Sequence, residues 1–433
     1  MAKPPHFGLW RNMDFMKLWA GETISLLGSQ VTLLALPLVA TVTLDATPVQ
    51  MGVLGTLQYI PWLIVGLPAG AWIDRMRRRP VMVAADLLRA ALLATIPLAA
   101  LSGILMVGHL YLVAFLVGVM NVFFDIAYMA FLPSLLPENL IVEGNAKLQV
   151  SASIAEIAGP GLAGVLVQWL SAPVAIVTDV FSFVVSAAAL ARIGAWETIP
   201  VPIRGTVPMV VEIREGLRFV FSNPILRAFA AASMTTNFFI DMHLAVFVMY
   251  AIRELHFSPV LIGGMYAVGS LGGLLGSLLA DRLPKRLGLG PVIVGTQIFV
   301  TLAVFSIPLA GGLPAIAVPV IVLAQAVWAF AVVVYVVNAA SLRQMITPAN
   351  LQGRAAASLR FVSWGIAPFG FLLGGFLGEW IGLRGTLYAA ALGPALSVVW
   401  ILLSPVSRLR KPPGSGRVNG QPSPAEEFAS DLV

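Results

Sequence analysis

Eight ionisable side chains interrupt stretches that are otherwise apolar: Glu22, Asp86, Arg89, Asp125, Glu156, Asp179, Asp241 and Arg360. A charge held away from water is costly, so each is a functional candidate unless a neighbour neutralises it. Carboxylates in such places can bind a polar ligand, or take up and release protons. No other residue set is equipped for chemistry. The chain has no Cys, hence no thiol nucleophile, disulfide or thiolate metal site. Its four histidines, His6, His109, His243 and His256, show no metal-ligand pairing. His-Glu-x-x-His, Gly-x-Ser-x-Gly and a phosphate-binding loop are all missing from the sequence. Neither an enzyme, a cofactor, a bound metal nor direct ATP coupling is therefore expected.

Long apolar segments carry these residues. Of the 433 residues, 59% are hydrophobic and only 11% charged, a balance that a water-soluble chain of this length does not sustain. Gly (40) and Pro (30) are frequent, yet uncharged runs continue through them, as in membrane helices whose neighbours re-satisfy broken backbone bonds. About 20 apolar residues cross a bilayer core. That length predicts roughly twelve spans, at 16–42, 49–73, 80–102, 109–132, 147–170, 172–193, 225–251, 258–281, 288–311, 314–341, 355–380 and 384–405.

Basic residues sort between the connections. With the N-terminus inside, the cytoplasmic connections hold Arg75, Arg77, Arg78, Arg79, Lys147, Arg204, Arg214, Arg218, Arg282, Lys285, Arg286, Arg343 and Arg354, whereas the opposite ones hold Arg253 and Arg384. This positive-inside pattern predicts a multi-pass protein of the cell membrane with both termini cytoplasmic. The net charge of +6 is then a matter of topology, and no nucleic-acid partner is expected. The first apolar segment is too long for a cleavable signal. The tail from Ser407 to Val433, rich in Pro, Gly, Ser and charge, is expected to be disordered.

The spans form two sets. A shift of 207 positions lays Tyr59 on Tyr266, Gly66 on Gly273, Asp74 on Asp281, Arg75 on Arg282, and Arg78 and Arg79 on Lys285 and Arg286. A shift of 211 lays Pro137, Asn139 and Leu140 on Pro348, Asn350 and Leu351, and continues through Ala146/Ala357, Leu148/Leu359, Gly164/Gly375 and Leu166/Leu377. Two nearly equal shifts imply one duplicated six-span unit, a pattern of membrane transporters. The expected organisation is a cytoplasmic N-terminus (1–15), a six-helix bundle (16–193), a cytoplasmic linker (194–224), a second six-helix bundle (225–405) and a disordered cytoplasmic tail (406–433). Within the linker, 207–223 alternates apolar and charged residues and predicts an amphipathic surface helix.

The charged turns after Gly70 and Ser277 resemble the loop signature of the major facilitator superfamily, between the second and third spans and again between the eighth and ninth. Leu18 to Gln30, Asp179 to Phe183 and Glu215 to Pro224 resemble the bacterial branch that includes enterobactin exporters and macrolide-efflux proteins. The resemblance implies an all-α integral membrane fold of twelve helices in two pseudo-symmetric bundles. It also implies a gating role for Gly70, Asp74, Arg75, Arg78 and Arg79, with Asp74 near Arg354–Ala355. By pseudo-symmetry Asp281, Arg282, Lys285 and Arg286 would gate with Asp281 near Asn145–Lys147. The alternative is that the arginines only set topology.

Gly159, Pro160 and Gly164 in the fifth span resemble the Gly-Pro element of antiporters, although Ala155 stands where a preceding glycine is usual. Pro160 withdraws an N–H from the carbonyl of Glu156 and kinks the helix. The bland reading is a kink in a packed helix. The resemblance places the first, fourth, seventh and tenth spans around a central cavity. Glu22 and Asp125 then lie about 10 Å deep and share a site. Asp241 is their counterpart from the other half, and Glu156 a fourth candidate at the kink. These four are the proton-coupling or substrate-binding candidates. Asp86 and Arg89, three apart on one face of a peripheral span, are expected to neutralise each other. Asp179 is expected to make a packing hydrogen bond, and Arg360 to snorkel. The fourth span has Ala114 where proton antiporters often carry an Arg, so coupling would use the carboxylates.

Asn121, Tyr128, Asn237, Gln325, Trp328 and Tyr335 are the substrate-pocket candidates, with Phe238, Phe239 and Phe330 beside them. Rings with a few amides suit a bulky amphipathic molecule, although each ring could equally pack against lipid or a neighbouring helix. The expected function is secondary-active efflux of a drug-like, macrolide-like or siderophore-like small molecule by alternating access in exchange for protons. The expected partners are that substrate, protons and the lipid bilayer, and the expected state is a monomer. A proton-linked importer or facilitator of the same fold is the alternative.

Overall fold

In the computed structural model, residues 9–73, 75–194, 209–348 and 351–409 are described, and no strand occurs among them. Twelve helices are long and apolar enough to cross a membrane. They are α1 (Met13–Leu38), α2 (Pro48–Ile73), α3 (Arg78–Leu101), α4 (Val107–Leu135), α5 (Glu138–Leu170) and α6 (Ala172–Ala191). Then follow α7 (Pro224–Arg253), α8 (Pro259–Leu279), α9 (Leu289–Ala310), α10 (Ala317–Ile346), α11 (Gln352–Trp380) and α12 (Leu383–Leu402). The all-α, twelve-span architecture expected from the sequence is the one found.

Helix ends follow local chemistry. Asn12 caps α1, its Oδ1 accepting from the N–H groups of Asp14 (3.1 Å) and Phe15 (3.0 Å). α5 begins at Glu138, earlier than the apolar length rule places it. The extra turns are polar, and Glu143 and Lys147 pair along them at 3.5 Å. α11 is broken at Gly365–Ile366 into Gln352–Trp364 and Ala367–Trp380. Pro368 stands just after the break, with no N–H to offer the carbonyl of Trp364. Trp169 and Trp380, 80% and 83% exposed near the ends of α5 and α11, are related by the same 211-residue shift found in the sequence. Matched tryptophans at helix ends suit the headgroup level of a bilayer.

The chain groups into two compact units: Met1–Arg204 with Ala245–Ala267, and Gly205–Leu244 with Val268–Val433. In the first, α1 packs on α5 and α6, α2 on α4, and α3 on α4 and α6. Gly21, Ser25 and Gly28 lie on one face of α1 and are buried. At Gly28 a β-carbon would strike Ser182 of α6, so glycine lets the two backbones meet. One turn on, the Thr32 hydroxyl donates to Asp179 Oδ2 (2.5 Å) and Ser182 donates to Oδ1 (2.9 Å). Asp179 thus makes a packing hydrogen bond within the spans.

In the second unit α9 packs on α10 and α12. A connecting helix, Met209–Ser222, precedes α7. Its Phe219 and Val220 pack with Leu226 and Ala230 of α7 and with Ala355 and Leu359 of α11. Its Arg214, Glu215 and Arg218 stay exposed, so the helix is amphipathic, as its sequence predicts. Glu215 pairs with Arg354 at 2.7 Å. The rest of the linker (195–208), the tail from residue 410 and residues 1–8 lie outside the described residues.

Candidate functional site

Asn121, Asp125 and Tyr128 recur at helical spacing on α4, and all three are half-buried. Glu22 of α1, also half-buried, lies within electrostatic reach of Asp125, Arg89 and Asp86. Glu22 and Asp125, which the sequence places in one site, thus lie within electrostatic reach of each other. Tyr128 stacks on Phe124 with ring centres 6.0 Å apart, which fixes its ring beside them. Arg89 reaches from α3 to donate to Asn121 Oδ1 at 3.0 Å, and it also pairs with Asp86. Sequence reasoning left Arg89 out of the site, because a charge pair three residues apart on one helix reads as self-contained.

Asn237 and Asp241 of α7 repeat the Asn-x-x-x-Asp spacing of α4. Here the amide of Asn237 donates to the carbonyl of Ser363 at 2.8 Å, in the last turn before α11 breaks. Gly370, just past the break, leaves no room for a β-carbon against Phe238 and Asp241. Asp241 is half-buried, without an ion-pair or hydrogen-bond partner among the described residues. This shared spacing was legible in the sequence and is the signal that would have linked the two sites. Glu156 of α5 is exposed along its helix.

Of the other pocket candidates, Gln325 is buried, while Trp328 and Tyr335 are half-buried. Gln325 is buried under Gly269 of α8, where a β-carbon would come within 2.6 Å of it. Trp328 packs with Val300, Val304, Ala331 and Ala391. Tyr335 meets Phe229 edge-on at 6.4 Å. A cavity of about 330 Å³ among Gly272, Leu275, Phe299, Ala326, Val327 and Phe330 holds no ionisable or amide side chain to orient a ligand.

The repeated loops are built differently. Asp74 lies outside the described residues, Gly70 has no atom near its missing side chain, and Arg75 is exposed. Arg78 donates to the carbonyl of Ala130 on α4 (2.9 Å). Arg79 donates to the carbonyls of Leu190 (2.9 Å) and Ala191 at the end of α6, where unpaired carbonyls favour a cation. In the second loop, Asp281, Arg282, Lys285 and Arg286 are exposed and make no side-chain hydrogen bond or ion pair among the described residues. The carbonyl of Ala280 is held instead by Asn338 of α10 at 3.1 Å.

Gly159, Pro160 and Gly164 lie within a helix that runs unbroken from Glu138 to Leu170. Gly159 admits the side chain of Gln30 from α1. Gly164 and Gly263 of α8 face each other. A β-carbon at Gly164 would come within 2.6 Å of the Pro259 carbonyl, and one at Gly263 would overlap the Pro160 carbonyl. The element is a close helix crossing that tolerates no side chain.

A family model described as Major Facilitator Superfamily matches residues 18–369. The multidrug efflux pump Tap of Mycolicibacterium fortuitum is 28% identical over 381 residues, covering 85% of this chain and 88% of that protein. Macrolide efflux protein A of Streptococcus pyogenes is 24% identical, covering 87% and 91%. Among solved structures, a bacterial homologue of the iron transporter ferroportin in its inward-facing state superposes with a TM-score of 0.72 at 16% identity, covering 90% of this chain and 98% of that one. That last likeness concerns the fold alone.

Proposed function

This chain belongs to the Major Facilitator Superfamily, and on that premise we propose that it is a secondary-active exporter of bulky amphipathic small molecules, exchanging them for protons by alternating access. Its relatives named for multidrug and macrolide efflux support the direction and the cargo class. The observation that carries the proton half is that Glu22 of α1 lies within electrostatic reach of both Asp125 of α4 and the Arg89 guanidinium. Two such acids can hold one proton between them and give it up when cargo enters. Asn121 and Tyr128 offer an amide and a ring to that cargo, and Asp241 with Asn237 offers the corresponding pair in the second unit. The signature loops act as gates at the cytoplasmic face, where both termini lie, and the working unit is a monomer in the bilayer.

The test uses purified protein in liposomes containing a pH-sensitive dye, with macrolides, cationic dyes and siderophores added in turn under an imposed proton gradient. Proton flux that requires both a cargo and Asp125, absent in Asp125→Asn, is the expected result. Cargo transport without proton movement would replace the exchanger by a facilitator or another ion. Because the chain lacks Cys, a single Ser430→Cys substitution reports the side of the C-terminus by its labelling before and after permeabilisation.

A further inference from the structure

Arg89 is only 5% exposed in the middle of α3, and its surroundings exceed what an ion pair along one helix needs. The guanidinium is clamped between two rings, its carbon 4.2 Å from the centre of Phe124 on α4 and 4.3 Å from that of Phe183 on α6. One amino group pairs with Asp86, itself fully buried beside Ser186, and the other donates to Asn121 Oδ1 at 3.0 Å. A planar fork stacked on two rings and bonded at two corners is restrained in a way that a lysine on the same stem would not be. Asn121, which the guanidinium grips, stands one helical turn before Asp125 on the same face of α4.

We propose that Arg89 is a positioning residue for proton exchange, a fixed cation that sets the geometry of α4 one turn from Asp125 and serves as counter-charge to Glu22. The proposal rests on the proton-exchange reading above. The ionisable groups that face Arg89 are Asp86 on its own helix, Glu22 on α1 and Asp179 on α6; on α4 it meets Asn121 and Phe124, with Asp125 and Tyr128 on the same helix. Asp86 is in contact, and Asp179 is satisfied by Thr32 and Ser182. Glu22 is the remaining acid within range of this cation, and it is also within electrostatic reach of Asp125.

The test compares Arg89→Lys, which keeps the charge but not the fork, with the neutral double variant Asp86→Asn/Arg89→Gln, in proteoliposomes with erythromycin and ethidium as probe cargos. Cargo-driven proton flux is recorded from pH 5.5 to 8.5, and cargo binding is measured separately. Both variants are expected to bind cargo while flux falls about tenfold and its pH profile changes shape, as for a misplaced reacting group. Flux and pH profile unchanged in the folded double variant would make the pair structural and overturn the assignment. If the double variant does not fold, the pH profile of Arg89→Lys decides in the same way. No cargo-dependent proton movement in the unsubstituted protein would overturn the exchange reading and this assignment together; flux present but indifferent to Arg89 overturns this assignment alone.

Discussion

Asn121 and Asp125 on α4 share their spacing with Asn237 and Asp241 on α7, but the two pairs keep different company. On α4 the amide is tied to a buried arginine, and a second acid, Glu22, stands nearby. On α7 the amide is tied to a backbone carbonyl at the break in α11, and Asp241 has no charged partner among the described residues. One local pattern therefore stands beside a buried arginine and a second acid in one place, and beside an interrupted helix in the other. The first arrangement suits proton exchange and the second suits recognition of a polar or cationic part of the cargo.

Asp125→Asn should have the largest effect, lowering cargo-driven proton flux by about 100-fold. Asp241→Asn should lower it by only about tenfold, chiefly through weaker cargo binding, seen in a titration of flux against cargo concentration. Equal losses with unchanged cargo affinity would break the distinction. A second contrast concerns α8. Gly263→Val forces a side chain into the carbonyl of Pro160 and should cost about 3 kcal/mol. Gly264→Val, with no atom within 4 Å of the new β-carbon, should be nearly silent in thermal unfolding in detergent. The two asparagines should then separate in the same assay. Asn121→Ala removes a hydrogen bond to a charged group and should cost about 2 kcal/mol, against about 1 kcal/mol for Asn237→Ala. Smallest is the loop contrast: Arg79→Ala should cost about 1 kcal/mol by uncapping α6, and Arg282→Ala less than about 0.5 kcal/mol. A reversal of that order would mean the second loop carries contacts that its exposed arginine does not display.

Much of this was legible before any coordinates. The twelve spans follow from apolar length, and the amphipathic connecting helix from the alternation around Glu215 and Arg218. Glu22 and Asp125 stand out because charge in an apolar run is rare. Other features were not legible. Arg89 and Asp86 satisfy each other on paper, so nothing in one helix shows that the guanidinium faces Asn121, Phe124 and Phe183 on two others. The two signature loops read as copies, yet Arg78 and Arg79 bind carbonyls of neighbouring helices while Arg282, Lys285 and Arg286 stand in the open. Tyr335 and Trp328 read as pocket aromatics because their spans suit a cavity, and the structure shows each half-buried against an apolar cluster.

The sequence by itself determined that this chain enters a membrane, how many times it crosses, and that its halves are related. Apolar length, the distribution of arginines and a repeat are one-dimensional quantities, and the bilayer reads them directly. Only the tertiary structure decided that Glu22 comes within reach of Asp125 and Arg89, that Arg89 grips Asn121, and where glycines bring α5 against α8. Those outcomes depend on the rotation and crossing of helices that are apolar on nearly every face. On such helices small residues and single buried polar contacts, not a hydrophobic stripe, select the neighbour.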